Sequence, residues 1–292
     1  MRRNSFDLSE KEKDILTALY RFRLMTVYHL IKLTGRKQQN LNSSLRKLEK
    51  RGSVCRRQNK KFEPFVYSVG VEAAPILASL GLGDREEIHL LARRLHELRT
   101  LFDRHFLMVT DIHLTLELAC RNSSIKIHEW REGKQLNDFV IIREGNENKK
   151  LFVRPDAFFS LDFSTPTSTT RRYFFLEADR GTTTNKTFQN KIKAYWAYYK
   201  QDLFTKKYNV SARSFRVITI TESEKRAENL CKASKEVLPK GSGNFYYFTP
   251  MSNLSDDEPT NIFQSIFTAP PDYETKKRYS LIPPLATSKP KS

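Results

Sequence analysis

The sequence predicts an α/β protein in which a small basic unit of three helices and a hairpin precedes a larger domain built on a three-layer mixed sheet. Two patterns lead to this fold class. Apolar residues repeat at helical spacing through about the first 50 residues, and after Ser124 they alternate in strand-like runs separated by helical segments. At 292 residues the chain is also long enough that two domains are expected.

The charge of the chain is strongly basic and unevenly distributed. There are 51 Lys and Arg against 33 Asp and Glu, which gives a net charge of +18. Residues 1–70 hold 17 basic and 6 acidic side chains, so +11 of this charge lies in the first quarter of the sequence. A polyanion is therefore the expected partner, and its expected contact surface is N-terminal.

No apolar run reaches the roughly 18 residues of a membrane helix, and the N-terminus has no apolar signal sequence. We expect a soluble, cytoplasmic protein that does not contact membranes. The cysteines Cys55, Cys120 and Cys231 are isolated, which predicts free thiols and neither a disulfide framework nor a zinc module.

Helical signals open the chain. Ser9 is an N-cap residue, with Glu12 in the capping-box position, for a first helix expected from Glu10 to Phe22. An apolar stripe predicts a second helix over Leu24–Thr34, and Gly35 suits the turn that ends it.

A third helix is expected to end at Gly52, with Leu41, Leu45 and Leu48 facing inward. Side chains that can contact base edges or phosphates face outward. They are Gln38, Gln39, Asn42, Ser43, Arg46 and Lys50.

A short hairpin with a basic tip follows. Val54–Arg57 and Phe65–Val69 read as its strands, and Arg56, Lys60 and Lys61 as further phosphate contacts. Three helices and a basic hairpin are typical of a winged helix-turn-helix, which we predict for residues 1–82. Its expected partner is double-stranded DNA, with no cofactor required; a merely solvated basic face is the alternative.

The rest of the chain is expected to comprise a helical connector at 83–97, an α/β domain at 98–268 and a basic, Pro-containing, mobile tail at 269–292. Helices are predicted over Val71–Leu80, Glu86–Cys120, Asn185–Leu203 and Glu222–Val237. Strands are predicted over Ile125–Trp130, Asp138–Arg143, Leu151–Phe163, Tyr173–Ala178, Phe215–Thr221 and Phe245–Thr249.

Three acids lie on two of these apolar strands. Glu177 and Asp179 are two residues apart, so an extended backbone points both to one face. If their strand pairs near Asp156, three carboxylates converge into a site suited to Mg²⁺ or Mn²⁺. The same acids would otherwise be solvated or paired with Arg154 and Arg180.

The order of these segments resembles the replication-relaxation family of plasmid and mobile-element proteins. The resemblance runs from about Leu8 to Thr221 and includes Arg154-Pro155-Asp156-Ala157, Phe175 to Thr182 and Lys191 to Tyr199. The second half of that family is similar to the PD-(D/E)xK nuclease fold, which implies a restriction-endonuclease-like domain with Asp156 and Glu177 as the two motif acids.

The motif's lysine is replaced here by Asp179, which removes a cation where charge develops during hydrolysis. Lys191 or Lys193 on the next helix is a candidate replacement, so the catalytic candidates are Asp156, Glu177, Asp179 and Lys191. Alternatively, these lysines are a phosphate-binding or packing face.

Two functions follow from these patterns. We expect a sequence-recognising DNA-binding protein for the replication, mobilisation or regulation of a plasmid or mobile element, with an inactive nuclease-like domain. The alternative is a Mg²⁺-dependent endonuclease that the winged helix directs to DNA. Replication or mobilisation proteins are expected partners, and homodimerisation is left open.

Overall fold

The computed structural model describes residues 8–58, 60–98, 103–164, 169–212, 214–239, 242, 245–255 and 257–282. The chain forms two compact units, Met1–Leu114 and Thr115–Ser292. The segment expected to be a connector, 83–97, falls within the first unit, as do the next residues up to Leu114.

The first unit begins with three helices, α1 (Glu10–Phe22), α2 (Val27–Thr34) and α3 (Gln38–Lys50). Ser9 caps α1 in the predicted capping box with Glu12. Gly35 ends α2 in the left-handed conformation, with φ of 67°.

The second helix starts later than predicted. Met25–Thr26 form a short strand, β1, and Thr26 caps α2 by accepting the backbone N–H of His29. Because Thr26 takes the extended conformation of an N-cap residue, the helix cannot include Leu24–Thr26. The apolar stripe did not reveal this boundary.

The hairpin has β2 (Val54–Arg57) and β3 (Val66–Val69) as its strands, close to the predicted runs. They pair antiparallel from Val54 opposite Val69 to Arg57 opposite Val66. Strand β1 pairs on the other side of β3, which gives a three-stranded sheet in the order β1-β3-β2.

Three further helices follow the hairpin: α4 (Ala74–Ser79), α5 (Arg85–Glu97) and α6 (Asp103–Arg121). The predicted run Glu86–Cys120 is thus divided between two helices, and residues 99–102 lie outside the described part. Thr110 of α6 donates to the backbone carbonyls of Phe22 and Leu24, at 3.0 and 2.8 Å. This contact explains why the first unit extends beyond the predicted boundary.

The second unit is built on a seven-stranded mixed sheet in the order β12-β11-β10-β9-β8-β7-β4. A separate hairpin contains β5 and β6. The strands are β4 (Ile125–Glu132), β5 (Asp138–Glu144), β6 (Glu147–Val153), β7 (Ala157–Ser164), β8 (Thr169–Asp179), β9 (Arg216–Thr221), β10 (Tyr246–Pro250), β11 (Phe267–Thr268) and β12 (Arg278–Tyr279). Strands β8, β9 and β10 are parallel, and the other pairs are antiparallel, so the predicted mixed α/β fold is confirmed.

The run Leu151–Phe163, predicted as one strand, is two strands in different sheets. Strand β6 ends at Val153 and β7 begins at Ala157. Pro155 lies between them, and a proline has no N–H with which to continue a ladder. The break places Asp156 immediately before β7.

Helices α7 (Asn185–Lys200), α8 (Leu203–Tyr208) and α9 (Glu224–Lys235) complete the second unit. The predicted helix Asn185–Leu203 ends early because Asp202 takes a left-handed conformation, with φ of 53°, before α8 starts. The three helices and the sheet share one core, in which Phe175 of β8 contacts Tyr195 and Phe204.

The prediction of a mobile tail after Thr268 is wrong for residues 269–282. Strand β12 pairs with β11, and the side chains of Leu281 and Ile282 are buried. Two-residue strands are too short to show a periodic pattern, which is why the sequence did not reveal them. Residues 283–292 lie outside the described part.

Among the described residues, no helix has both the length and the apolar character needed to span a bilayer.

Candidate functional sites

The outward face of α3 is polar and basic, as predicted. Leu41, Leu45 and Leu48 are buried beneath it. Gln38, Gln39, Ser43, Arg46 and Lys50 are exposed, and Asn42 is half-buried. Together with Lys47 they border a shallow surface concavity of about 700 Å³, and we call these seven residues the α3 face.

Nearby acids do not neutralise the positive charge of the α3 face. Within the described ranges, none of its basic side chains, Arg46, Lys47 and Lys50, forms an ion pair with a carboxylate. Because basic side chains at a protein surface are usually balanced by nearby acids, this helix presents a concentrated positive field to an anionic ligand.

The hairpin tip, residues 58–65, adds two of the predicted basic residues. Lys60 and Lys61 are both exposed, and the ammonium of Lys61 lies 5.8 Å from the ring centroid of Phe62. The Phe62 side chain is 94% exposed. An aromatic ring held in solvent beside two lysines is a feature that the sequence analysis missed.

Arg56 differs from the lysines because it is already paired. Its guanidinium lies 3.0 Å from a carboxylate oxygen of Glu49 and 4.6 Å from the ring centroid of Phe65. The adjacent Arg57 binds the buried Asp103. Arg56 can therefore contact a phosphate only by sharing its charge with Glu49.

A second candidate site lies at the carboxyl end of β8. Glu177 is buried, and both of its carboxylate oxygens are bound. Lys191 of α7 donates to Oε2 at 2.5 Å, and the Tyr195 hydroxyl donates to Oε1 at 2.5 Å. Tyr195 lies one helical turn after Lys191, so both side chains reach the strand from one face of α7.

The electrostatics of this pair are those of a partly buried ion pair. Burial raises the pKa of Glu177, with a further contribution from nearby Asp156, while Lys191 and Tyr195 act against that rise. The carboxylate of Glu177 in turn raises the pKa of Lys191. The ammonium of Lys191 is therefore held in its charged form.

Asp156 lies beside this pair, at the turn before β7. Its backbone N–H donates to the carbonyl of Leu176 at 2.9 Å, and its carboxylate accepts the N–H of Ala178 at 2.7 Å. These two bonds clamp Asp156 to β8 on either side of Glu177. The predicted approach of Asp156 to this strand is therefore present.

Asp179 does not complete the expected trio. Its two oxygens accept from Arg226 of α9 at 2.7 and 3.0 Å, and Oδ1 also accepts the N–H of Gly181 at 2.8 Å. Burial raises the pKa of Asp179, but the hydrogen bonds from Arg226 and Gly181 outweigh burial and leave it below its usual value. Asp179 thus has a fixed cationic partner.

Across the described ranges, no group of three or more His, Cys, Asp or Glu side chains is placed to hold a metal ion. Arg226 binds Asp179 and Lys191 binds Glu177, so within the described ranges the three carboxylates are not gathered around one position. Binding of Mg²⁺ or Mn²⁺ by Asp156 and Glu177 stays a prediction.

The two candidate lysines of α7 have different environments. Lys191 reaches Glu177, whereas Lys193 lies 2.7 Å from Glu144 of β5. Arg154 and Arg180, the alternative partners expected for the three acids, contact other residues. Arg180 lies 3.2 Å from Glu222, and the Arg154 guanidinium lies 4.2 Å from the ring centroid of Phe152.

The site residues that sequence reasoning missed are Lys47, Phe62 and Arg226. Lys47 lies one helical turn after Ser43, an outward residue of the same face, so helical spacing alone contained the signal. Arg226 lies 47 positions from Asp179 and carried no local signal. Only the packing of α9 brings this pair together.

These elements define a protein of two units. In the first, a helix exposes basic side chains that have no carboxylate partner among the described residues. In the second, a lysine forms an ion pair with a glutamate near the end of a strand in the mixed sheet. The chain belongs to the Replication-relaxation family, which it matches over residues 16–213. No curated protein and no solved structure matches it. Membership indicates a role in the replication or relaxation of a plasmid or mobile element.

Proposed function

We propose that the protein recognises a sequence in double-stranded DNA and acts in the replication, mobilisation or regulation of a plasmid or mobile element. In this proposal the first unit is a winged helix-turn-helix, α3 is its recognition helix and the β2–β3 hairpin is its wing. The observation that carries the proposal is the α3 face, where exposed glutamine and basic side chains border one concavity and the basic ones have no carboxylate partner among the described residues.

The chemistry of the α3 face suits a DNA groove. Gln and Asn side chains can each donate to and accept from an adenine edge, and Arg binds guanine with two hydrogen bonds. Lys47 and Lys50 follow Arg46 toward the helix end and are suited to phosphates. Lys60 and Lys61 of the hairpin tip provide further positive charge for phosphates of the DNA backbone.

We propose further that the second unit is a restriction-endonuclease-like domain that serves as a scaffold and not as a nuclease. Asp179 stands at the position of the motif lysine and is bound to Arg226. Both oxygens of Glu177 accept hydrogen bonds from protein side chains. A metal ion on a remaining lone pair of Glu177 would lie close to the Lys191 ammonium, and the repulsion between the two cations weakens metal binding there.

A Mg²⁺-dependent endonuclease is the second candidate function. It is favoured by Lys191, which brings a cation to the acids from the helix although the strand lacks one. Such a cation can offset the charge that develops on a phosphate during hydrolysis. Lys193 is the matched control, because it lies on the same helix and binds Glu144 instead.

Two experiments test these functions. Selection from a random duplex pool with the full-length protein should enrich one sequence, and a pool that remains random would contradict sequence recognition. Supercoiled-plasmid nicking with Mg²⁺ and Mn²⁺ should then give no cleavage for the wild type. Robust cleavage that is lost in Asp156→Ala and Lys191→Ala, but retained in Lys193→Ala, would establish the endonuclease.

A further inference from the structure

The β5–β6 hairpin of the second unit has one buried and one exposed face. Its strands pair from Asp138 opposite Val153 to Glu144 opposite Glu147, so side chains alternate between the faces. We call the exposed side the outer hairpin face. It consists of Phe139, Ile141, Arg143, Asn148, Lys150 and Phe152.

The inner face fixes the hairpin to helix α7. Val140 and Leu151 are buried in the core of the unit. The hydroxyl of Tyr198 donates to Asp138 at 3.0 Å, and Lys193 donates to Glu144 at 2.7 Å. The outer hairpin face is therefore carried by an anchored element and not by a loose loop.

Large apolar side chains are exposed on this face. Phe139, Ile141 and Phe152 are 44%, 52% and 48% exposed, and the two phenylalanines are directly opposite each other on neighbouring strands. Two aromatic rings side by side at a protein surface leave apolar area in water, which a ligand with flat apolar faces would cover.

Cations lie directly over these rings. The Lys150 ammonium is 3.8 Å from the ring centroid of Phe139 and 5.4 Å from that of Phe152. The Arg154 guanidinium is 4.2 Å from the ring centroid of Phe152. Attraction between cation and ring keeps both long side chains along the sheet surface, so positive charge and aromatic area occupy the same patch.

The acidic side chains of the hairpin are confined to one face. Its acidic side chains, Asp138, Glu144 and Glu147, all fall on the inner side of the strand alternation. The outer side holds Arg143 and Lys150, with Arg154 just beyond the strand. Within the described part of the hairpin, the outer face is basic and has no carboxylate, which matches an anionic ligand.

We propose that the outer hairpin face binds an unpaired DNA strand. Its phosphates draw Lys150 and Arg154 off the rings and are held by them and by Arg143, and its bases stack on Phe139 and Phe152 in their place. Adjacent aromatic rings surrounded by basic side chains are the arrangement by which proteins bind single strands without sequence preference. A protein partner fits less well, because it would have to cover three cations as well as the apolar area. This site does not depend on the α3 face, which is proposed to bind duplex DNA.

The test is fluorescence anisotropy of the full-length protein with a labelled oligo-dT of about 20 nucleotides, longer than a typical single-strand site. Phe139→Leu/Phe152→Leu keeps apolar area but removes the rings, and it should weaken oligo-dT binding at least about fivefold. Lys150→Gln/Arg154→Gln should weaken binding and flatten its salt dependence. Lys232→Gln on α9, an exposed cation away from the hairpin, is the control and should bind like the wild type.

Duplex binding separates this proposal from the proposed function. The hairpin variants should retain duplex affinity, whereas Arg46→Ala should weaken binding to the selected duplex and retain oligo-dT binding. Crosslinking with 5-bromodeoxyuridine in the oligonucleotide, read by mass spectrometry on the wild type, should label the segments around Phe139 and Phe152. Unchanged oligo-dT binding in the leucine variant, or crosslinks confined to other segments, would overturn the site.

Discussion

Lys191 reaches from helix α7 to Glu177 on strand β8, with 2.5 Å between the ammonium nitrogen and a carboxylate oxygen. The Glu177 side chain is only 4% exposed, so its charge has little access to water. Because an isolated buried carboxylate is costly, the lysine has a structural role whatever its chemical role. In the described part of the site, Lys191 is also the only positively charged group beside Glu177, so catalysis by an endonuclease would depend on it.

Replacing Lys191 with Met is expected to destabilise the second unit by about 2 kcal/mol, since Glu177 would be left buried without its cation. Lys193→Gln is the control, and because its partner Glu144 is exposed to solvent, the loss of that pair should leave the free energy of unfolding nearly unchanged. Urea unfolding followed by tryptophan fluorescence reports this unit, because both tryptophans, Trp130 and Trp196, belong to it. If the two variants had the same free energy of unfolding, the buried ion pair between Lys191 and Glu177 would contribute no more to stability than the exposed pair between Lys193 and Glu144.

Arg226→Ala is expected to destabilise the protein in a pH-dependent way. The pKa of Asp179 is lowered in the folded state, so its pairing stabilises the fold above the unfolded pKa of about 3.9 and that contribution is lost as pH falls through the folded value. The variant should be about 3 kcal/mol less stable than the wild type at pH 7. Urea titrations at several pH values should show this difference narrowing below pH about 4.

A difference between wild type and Arg226→Ala that stayed constant down to low pH would assign the effect to lost packing and not to the ion pair. Arg180→Ala, which changes the residue next to Asp179 in the sequence, provides the control. Its partner Glu222 is 56% exposed, so a change of about 1 kcal/mol or less is expected.

Duplex binding is expected to weaken steeply with salt. Each phosphate contact should contribute about −0.9 to the slope of log affinity against log salt concentration. Lys60→Gln/Lys61→Gln should make this slope shallower by nearly the amount expected for two phosphate contacts. Binding to the specific and the scrambled duplex should weaken equally. Affinity that does not change with salt would contradict an electrostatic contact by the hairpin tip.

Most of the local structure could be predicted because its signals are local. The capping residues Ser9 and Glu12, the leucines of α3 and the turn at Gly35 each lie within a few positions of what they specify. The strand that carries Glu177 was similarly visible as an apolar run.

The chemistry of the second site depended on contacts that no short pattern contains. Lys191 and Lys193 are two positions apart and point in different directions from α7, so only the packing of that helix decides which one meets Glu177. Asp179 was expected beside the other acids, but Arg226 from a distant helix binds it.

The most direct test of the central claim, recognition of double-stranded DNA by α3, is anisotropy with the selected duplex and a scrambled duplex. Gln39→Ala and Arg46→Ala are each expected to weaken specific binding by about 1–3 kcal/mol and to reduce the preference over the scrambled duplex. Arg94→Ala, which removes an exposed arginine from α5 of the same unit, should leave both affinities unchanged. Specific binding that persists at full strength in both α3 variants would contradict the account.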